Sequence, residues 1–200
     1  MSSKVLIVFA HPLFERSKTH KVLISYLKKV TRVTIHDLYQ EYPEYFIKVE
    51  KEKELLSAHD IIIWQHPIYW YSCPPLLKQW IDQVLEVGWA YGKGGTALQG
   101  KKLMQIVSTG GSEHVYGPEG NNRYPLRTFL TPFEQTARLC GMDYVAPFVV
   151  HGTHRLTAEE LEEYGRKCFF VVDKLANDPQ FANQLLNKRY ANDWLQNDNK

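Results

Sequence analysis

What this chain of 200 residues lacks already narrows its function. Its cysteines, Cys73, Cys140 and Cys168, are odd in number, far apart and without a Cys-x-x-Cys pair, so neither a structural disulfide nor a zinc site is expected. Reduced thiols of this kind fit a cytoplasmic protein. Charge of one sign is also scarce: 24 basic against 22 acidic residues leave a formal +2, which gives no footprint for nucleic acid and does not suit an acidic electron carrier. No long hydrophobic run occurs. Met1-Ser2-Ser3-Lys4 leads directly into a short apolar segment ending at Ala10, with neither a signal-cleavage pattern nor the length of a membrane span. The Gly-x-x-x-x-Gly-Lys-Ser/Thr phosphate loop is missing, and so is the Gly-x-Ser-x-Gly elbow of serine hydrolases. His151 and His154 have no third ligand at a recognisable spacing, so no metal centre is expected. Cys73, between aromatics and prolines, reads as a packed thiol rather than a nucleophile.

What is present is an alternation of short apolar strands and helical stripes, at a composition of 44% hydrophobic and 23% charged residues that suits one globular domain. Strand-like runs cover 4–10, 33–37, 60–64, 102–108 and 144–150. Ser17 is a good N-cap for a helix whose Val22, Leu23, Tyr26, Leu27 and Val30 form one apolar stripe. Pro74 and Pro75 suit the first turn of a second helix, with Leu76, Leu77, Trp80, Ile81, Val84 and Leu85 on its buried side and Gly88 as its end. A fainter helical pattern covers 50–59. Thr131 with Glu134, and Thr157 with Glu160, match the capping box and propose two further helix starts. Residues 1–176 thus read as one α/β domain, a three-layer doubly wound fold on a five-stranded parallel sheet. Residues 177–200 form a polar extension. Its Phe181, Leu185, Tyr190 and Trp194 recur at near-helical spacing, which leaves open both a segment that holds a partner and a surface helix with a frayed end.

With strand order 2-1-3-4-5, the loops after strands 1, 3 and 4 converge at the switch point, where such sheets bind ligands. The first loop runs through His11 into a helix start carrying Ser17, Lys18, Thr19 and His20. Its free amides, hydroxyls and positive charge suit a phosphate, while simple capping by Ser17 remains the alternative. The second holds Pro67, Ile68, Tyr69, Trp70 and Tyr71. Consecutive aromatics point in different directions and each carries a polar tip, so they suit either a flat aromatic ligand or a sheet edge or dimer surface. The third is Ser108-Thr109-Gly110-Gly111, whose glycines would let backbone amides approach a planar ligand or make a plain turn. Gly92-Lys93-Gly94-Gly95-Thr96-Ala97 matches the dinucleotide fingerprint letter for letter. It neither follows a strand nor opens a helix, so it reads as a surface loop.

Taken together, His11-Pro12, the helix start at 17–20, Gln65-His66-Pro67-Ile68-Tyr69-Trp70-Tyr71, the Pro-Leu-Leu-Lys-x-Trp helix at 75–80, and Thr109-Gly110-Gly111 with Tyr116 resemble the flavodoxin-like NAD(P)H:quinone oxidoreductases over about 4–175. Through His36-Asp37-Leu38-Tyr39 and Gly88-Trp89-Ala90-Tyr91-Gly92, the chain is most similar to the ancillary proteins of glutathione-regulated potassium efflux systems. The resemblance implies a flavin, FMN or FAD with the antiporter-linked subgroup favouring FMN, reduced by NAD(P)H in ping-pong chemistry that ends on a quinone-like acceptor. It implies that His11, Ser17, Lys18, Thr19 and His20 surround the phosphate. Pro67, Ile68, Tyr69, Trp70 and Tyr71 would line the ring, and Ser108, Thr109, Gly110 and Gly111 its other edge. Tyr116 matches the active-site tyrosine. The partner histidine expected six residues later is here Asn122, an amide that can orient a substrate but cannot relay a proton. The resemblance further implies a homodimer with sites at the subunit interface. A regulatory role, docked on a potassium antiporter at the inner face of the membrane with redox activity secondary, is the alternative.

Overall fold

Val5–Phe9 forms β1, five apolar residues with no exposed member, and its two faces feed two separate cores. In a computed structural model that describes residues 2–178 and 180–197, Val5, Ile7 and Phe9 pack on one side and Leu6 and Val8 on the other, the period-two alternation of a strand covered on both faces. Parallel pairing places β2 (Val33–Asp37) and β3 (Ile61–Pro67) on either edge of β1, with β4 (Lys102–Ser108) beyond β3. Beside β4 lie β5 (Asp143–Tyr144) and β6 (Phe148–Val150), so the order is β2-β1-β3-β4-β5 with β6 also on β4. This is the flavodoxin-like doubly wound arrangement, and the order reverses between β1 and β3.

Helix α1 (Lys18–Leu27) begins as its sequence suggests, with the Ser17 side chain accepting from the His20 amide at 3.1 Å. It covers one face together with α6 (Ala158–Asn177), which starts in a complete capping box between Thr157 and Glu160. The other face is covered by α2 (Leu38–Glu41), α3 (Val49–Ser57), α4 (Pro75–Val84) and α5 (Leu126–Leu139). The last two helices are α7 (Phe181–Leu185) and α8 (Ala191–Asn197).

Several expected boundaries move, each for a local reason. The strand expected over 144–150 is interrupted at 145–147, where Pro147 has no amide to give to the ladder. Thr131 does not start a helix: α5 already runs from Leu126, and Glu134 is drawn into ion pairs with Arg127 and Arg138 instead of capping Thr131. The second expected helix ends at Val84 rather than at Gly88, which lies in the following turn with φ +82°. β3 extends past Trp64 through Gln65, His66 and Pro67, two buried polar residues and a proline that disguise a strand.

The extension does not trail away. Phe181, Leu185, Tyr190 and Ala191 are buried, Trp194 packs edge-on against Phe181 at 4.7 Å, and Asn192 bonds both backbone groups of Val149 through its amide. Residues 198–200 of that segment, like Pro179, lie outside the described residues. The 92–97 segment is a loop between α4 and β4, with Gly92 and Gly94 at positive φ.

Candidate functional site

A cleft of about 610 Å³ opens where the carboxyl ends of β1, β3 and β4 meet the start of α1. His11, Ser17, Lys18, Thr19, Pro67, Ile68, Tyr69, Ser108 and Gly110, all singled out in the sequence, line it. One wall comes from residues not expected there: Leu13 and Arg16 in the turn before α1, and Thr153, Leu156 and His154 after β6, the last weighed in the sequence only as a metal ligand. The signal for the latter was positional. β6 ends at the same edge of the sheet as β4, so its loop reaches the same opening.

At the start of α1 the amides of Lys18 and Thr19 make no hydrogen bond among the described residues, because only the third amide of the turn is taken by Ser17. With Lys18 and Arg16 on the same rim, this end of the cleft attracts anions. His11 lies at the mouth. Its Nδ1 accepts from the Leu13 amide at 3.1 Å, and burial pushes its pKa below the ordinary value while a backbone hydrogen bond works the other way.

His20 does something other than face the cleft. It is buried beneath the floor, with Nε2 2.9 Å from Ser108 Oγ and Nδ1 3.3 Å from the Gln65 amide nitrogen, so it ties the first loop to the end of β4. Burial, reinforced by the nearby His11 and His66, holds its pKa well below the ordinary range; it is neutral and offers no charge to an anion. A second buried thread runs from Tyr144 through Gln105 to His66, which donates from Nδ1 to the Pro67 carbonyl at 2.9 Å. That carbonyl is thereby fixed at the edge of the cleft, beside Ile68, whose amide bonds the Ser108 carbonyl at 2.8 Å.

The aromatic run is a tight reversal. Tyr69 and Ser72 exchange both backbone hydrogen bonds, at 3.1 and 2.9 Å, around Trp70 at φ +47° and Tyr71 at φ +62°. Only Tyr69 faces the cleft. Trp70 is 93% exposed, and Tyr71 stacks on Phe129 at 4.9 Å with its hydroxyl donating to Asn122 Oδ1 at 3.3 Å.

In the third loop the glycines are favoured by space rather than by φ, since a side chain at either would make its neighbours shift. A side chain at Gly110 would meet His154 Nε2 at 2.9 Å, and one at Gly111 would meet Val115 at 2.7 Å and the Tyr116 ring at 3.4 Å. Thr109 is buried under the turn, its hydroxyl donating to the Gly111 carbonyl at 2.7 Å. Tyr116 is buried behind it; burial raises its pKa, and the nearby Thr109 side chain partly offsets the rise. Trp70, Tyr71, Thr109, Gly111, Tyr116 and Asn122 therefore surround the cleft without lining it.

A family model described as flavodoxin-like fold matches residues 3–168. The chain belongs to this family. Within it, the glutathione-regulated potassium-efflux system ancillary protein KefG of Pectobacterium carotovorum subsp. carotovorum is 44% identical over 163 residues, 82% of this chain and 89% of that protein. Among solved structures, general stress protein 14 of Treponema denticola in complex with FMN shares 42% identity at a TM-score of 0.83, covering 86% of this chain and 99% of the other. An NADPH-quinone reductase from P. pentosaceus shares 31% identity at a TM-score of 0.76, over 88% and 98% of the two chains. The flavodoxin-like resemblance carried by the sequence motifs and these similarities agree.

Proposed function

We propose that the cleft binds FMN and that the chain is an NAD(P)H-dependent oxidoreductase acting on quinone-like acceptors. The observation that carries this is the junction of an anion-attracting helix start with a wall of Pro67, Ile68 and Tyr69 and a glycine turn, in a cleft of about 610 Å³ at the switch point. The residues present fit the group. Amides of Lys18 and Thr19 with the Ser17 hydroxyl and the Arg16 and Lys18 charges would hold a phosphate, and the 67–69 and 108–110 backbones would flank a flat ring system. Bound flavin would supply hydride acceptance and donation in two half-reactions sharing one site. The chain's own part would be to position that group with the Pro67 carbonyl that His66 holds and the Ile68 backbone that Ser108 holds.

Reduction of a quinone by hydride also consumes a proton, and Tyr116 is the hydroxyl beside the glycine turn that can release one. Asn122, held by Tyr71, can orient a ligand but not exchange a proton. Trp70, standing free at the tip of its turn, is suited to closing the site from a second copy of the chain, which makes a homodimer part of this reading.

Adding FMN to protein stripped of ligands, and following the quenching of flavin fluorescence, should show stoichiometric uptake, weakened by about tenfold in Lys18→Ala through loss of one phosphate contact. Protein that takes up no flavin removes the proposal. The similarity to KefG supports a second reading, a regulatory subunit of a potassium antiporter. Flavin-loaded protein that reduces no acceptor with NADH or NADPH, yet co-purifies with an antiporter, would favour that role over catalysis.

A further inference from the structure

Beneath the floor of the cleft, side chains from three elements form one thread: Gln65 on β3, His20 on α1 and Ser108 at the end of β4. Gln65 is fully buried and His20 almost so, which keeps water from competing for their bonds. Gln65 Nε2 lies 3.3 Å from His20 Nδ1, and His20 Nε2 lies 2.9 Å from Ser108 Oγ. The Phe9 and His11 rings pack on the imidazole, with centroids 5.7 and 5.0 Å away, and hold its orientation. An amide nitrogen can only donate, and burial keeps His20 neutral, so Nδ1 carries the lone pair and the single ring hydrogen is on Nε2. Ser108 Oγ therefore accepts from His20 and keeps its own hydrogen. Oγ has no second partner among the described residues, and Ser108 lines the cleft, so that hydrogen is left for an acceptor there.

We propose that Gln65 and His20 are positioning residues that set the polarity of the Ser108 hydroxyl, making the end of β4 a hydrogen-bond donor to the lone pairs of a flat heterocycle in the cleft. The inference rests on the flavin reading and deepens it, because an isoalloxazine ring carries carbonyl oxygens and ring nitrogens that accept. Gln65 and His20 do not line the cleft and act only through Ser108. An isolated serine turns its hydroxyl to donate or accept as its ligand requires. Here donation into the cleft is the direction that needs no rearrangement beneath it, so the donor is preorganised before any ligand arrives.

The opposite polarity has a defined form. Gln65 Oε1 makes no hydrogen bond among the described residues, so the amide is committed to His20 through its nitrogen alone. Turning the amide over would bring Oε1 to Nδ1 and move the ring hydrogen there. Nε2 would then draw the Ser108 hydrogen down to itself, and the hydroxyl would have nothing left to donate to the cleft. The two patterns share their heavy-atom positions and differ in the tautomer of one buried ring, which is observable in the protein without a ligand.

Two measurements test the role. In flavin-free protein, the 15N resonances of the His20 ring should report the hydrogen on Nε2; a hydrogen on Nδ1 overturns the inference whatever the protein binds. FMN titrations followed by flavin fluorescence supply the second. Ser108→Ala should weaken uptake about tenfold through loss of one directed hydrogen bond. Gln65→Met keeps a side chain of similar length but donates nothing to Nδ1; it should weaken uptake about threefold when the Ser108 hydroxyl is present and leave it unchanged in the Ser108→Ala background. Equal losses in the two backgrounds, or no loss in either, overturn the inference, because Gln65 then does not act through that hydroxyl. If Gln65→Met does not fold, the wild-type tautomer decides alone. Wild-type protein that takes up no FMN removes the flavin reading and the ligand class with it, whereas FMN uptake by protein with the Nδ1–H tautomer removes only the inference.

Discussion

Trp70 and Tyr71 sit side by side with positive φ, a backbone region that costs an ordinary L-residue about 1–2 kcal/mol. Two-residue reversals of this kind usually take Asn-Gly, and here neither residue is present. The strain is tolerated in a turn that presents an aromatic side chain to solvent beside the cleft. Because Trp70 is 93% exposed, replacing it removes almost no packing. Trp70→Asn should therefore raise the free energy of unfolding by about 1 kcal/mol, since asparagine tolerates this φ, while weakening flavin uptake or self-association. Urea unfolding beside a flavin titration checks both; a variant less stable than the wild type would refute the strain account. The residue scale is also where the sequence was hardest to read. Three consecutive aromatics announced a site, but nothing in their letters showed that a tight turn would send Tyr69 to the cleft, Trp70 to solvent and Tyr71 onto Phe129. His20 was equally opaque: a histidine at a helix start suits a phosphate, and only the tertiary fold brings Ser108 within 2.9 Å and dehydrates the ring.

At the scale of elements, legibility followed residue type rather than burial: the half-buried strand at 33–37 was plain, and the fully buried end of β3 was not. The strands at 33–37 and 102–108 were plain because they are short, apolar or β-branched, and bounded by turns, whereas β3 hid its last three residues behind glutamine, histidine and proline. The Thr157 capping box was readable because both partners are local; the one at Thr131 was spurious because Glu134 has better, charged partners, Arg127 two turns before it and Arg138 one turn after it. The C-terminal segment was the largest surprise. Its composition is polar, yet α7 buries Phe181 and Leu185, and the Asn192 amide reproduces the two hydrogen bonds a neighbouring strand would give Val149, at 2.9 and 3.0 Å. An open edge beside β6 is thereby closed. Asn192→Ala leaves both Val149 groups unpaired and should cost about 1–3 kcal/mol. Phe181→Ala, which empties a buried site under Trp194, should cost about 3–5 kcal/mol. Thermal or denaturant unfolding of each variant checks these values, and if Phe181→Ala matches the wild type, the segment is not part of the cooperative core.

At the scale of the whole molecule, the cleft rests on buried polar groups that the apolar pattern of the sheet did not reveal. Tyr144, Gln105 and His66 form one thread beneath it, and His20 and Ser108 another. Farther from the cleft, Glu52 is fully buried and accepts from Tyr42 and, at 2.7 Å, from the Trp80 indole, with His36 2.9 Å away. These networks make stability depend on pH in a definite direction. Burial pushes His66 down to about 4 from an ordinary 6.5, with its bond to the Pro67 carbonyl working the other way. Between those two values the unfolded chain binds a proton at this residue that the native one does not, so native stability rises with pH across the window. The contribution is fully present above 6.5 and lost as pH falls towards 4, and amounts to about 3 kcal/mol. His20 is lowered for the same reason and adds in the same direction. Glu52 extends the loss into acid: burial alone would raise its carboxyl, but the bonds with His36, Tyr42 and Trp80 outweigh it and hold the pKa below 4.5, so its contribution holds above that value and disappears as pH drops through the folded one. Denaturant unfolding at a series of pH values should therefore show stability declining from about pH 6.5 downward. His66→Gln, which can still donate to the Pro67 carbonyl and accept from Gln105, should remove the His66 share and leave a shallower slope owed to His20. An unchanged slope in that variant would mean that His66 is protonated as readily in the native protein as in the unfolded chain, and that the carbonyl at the edge of the cleft is not held by a neutral imidazole.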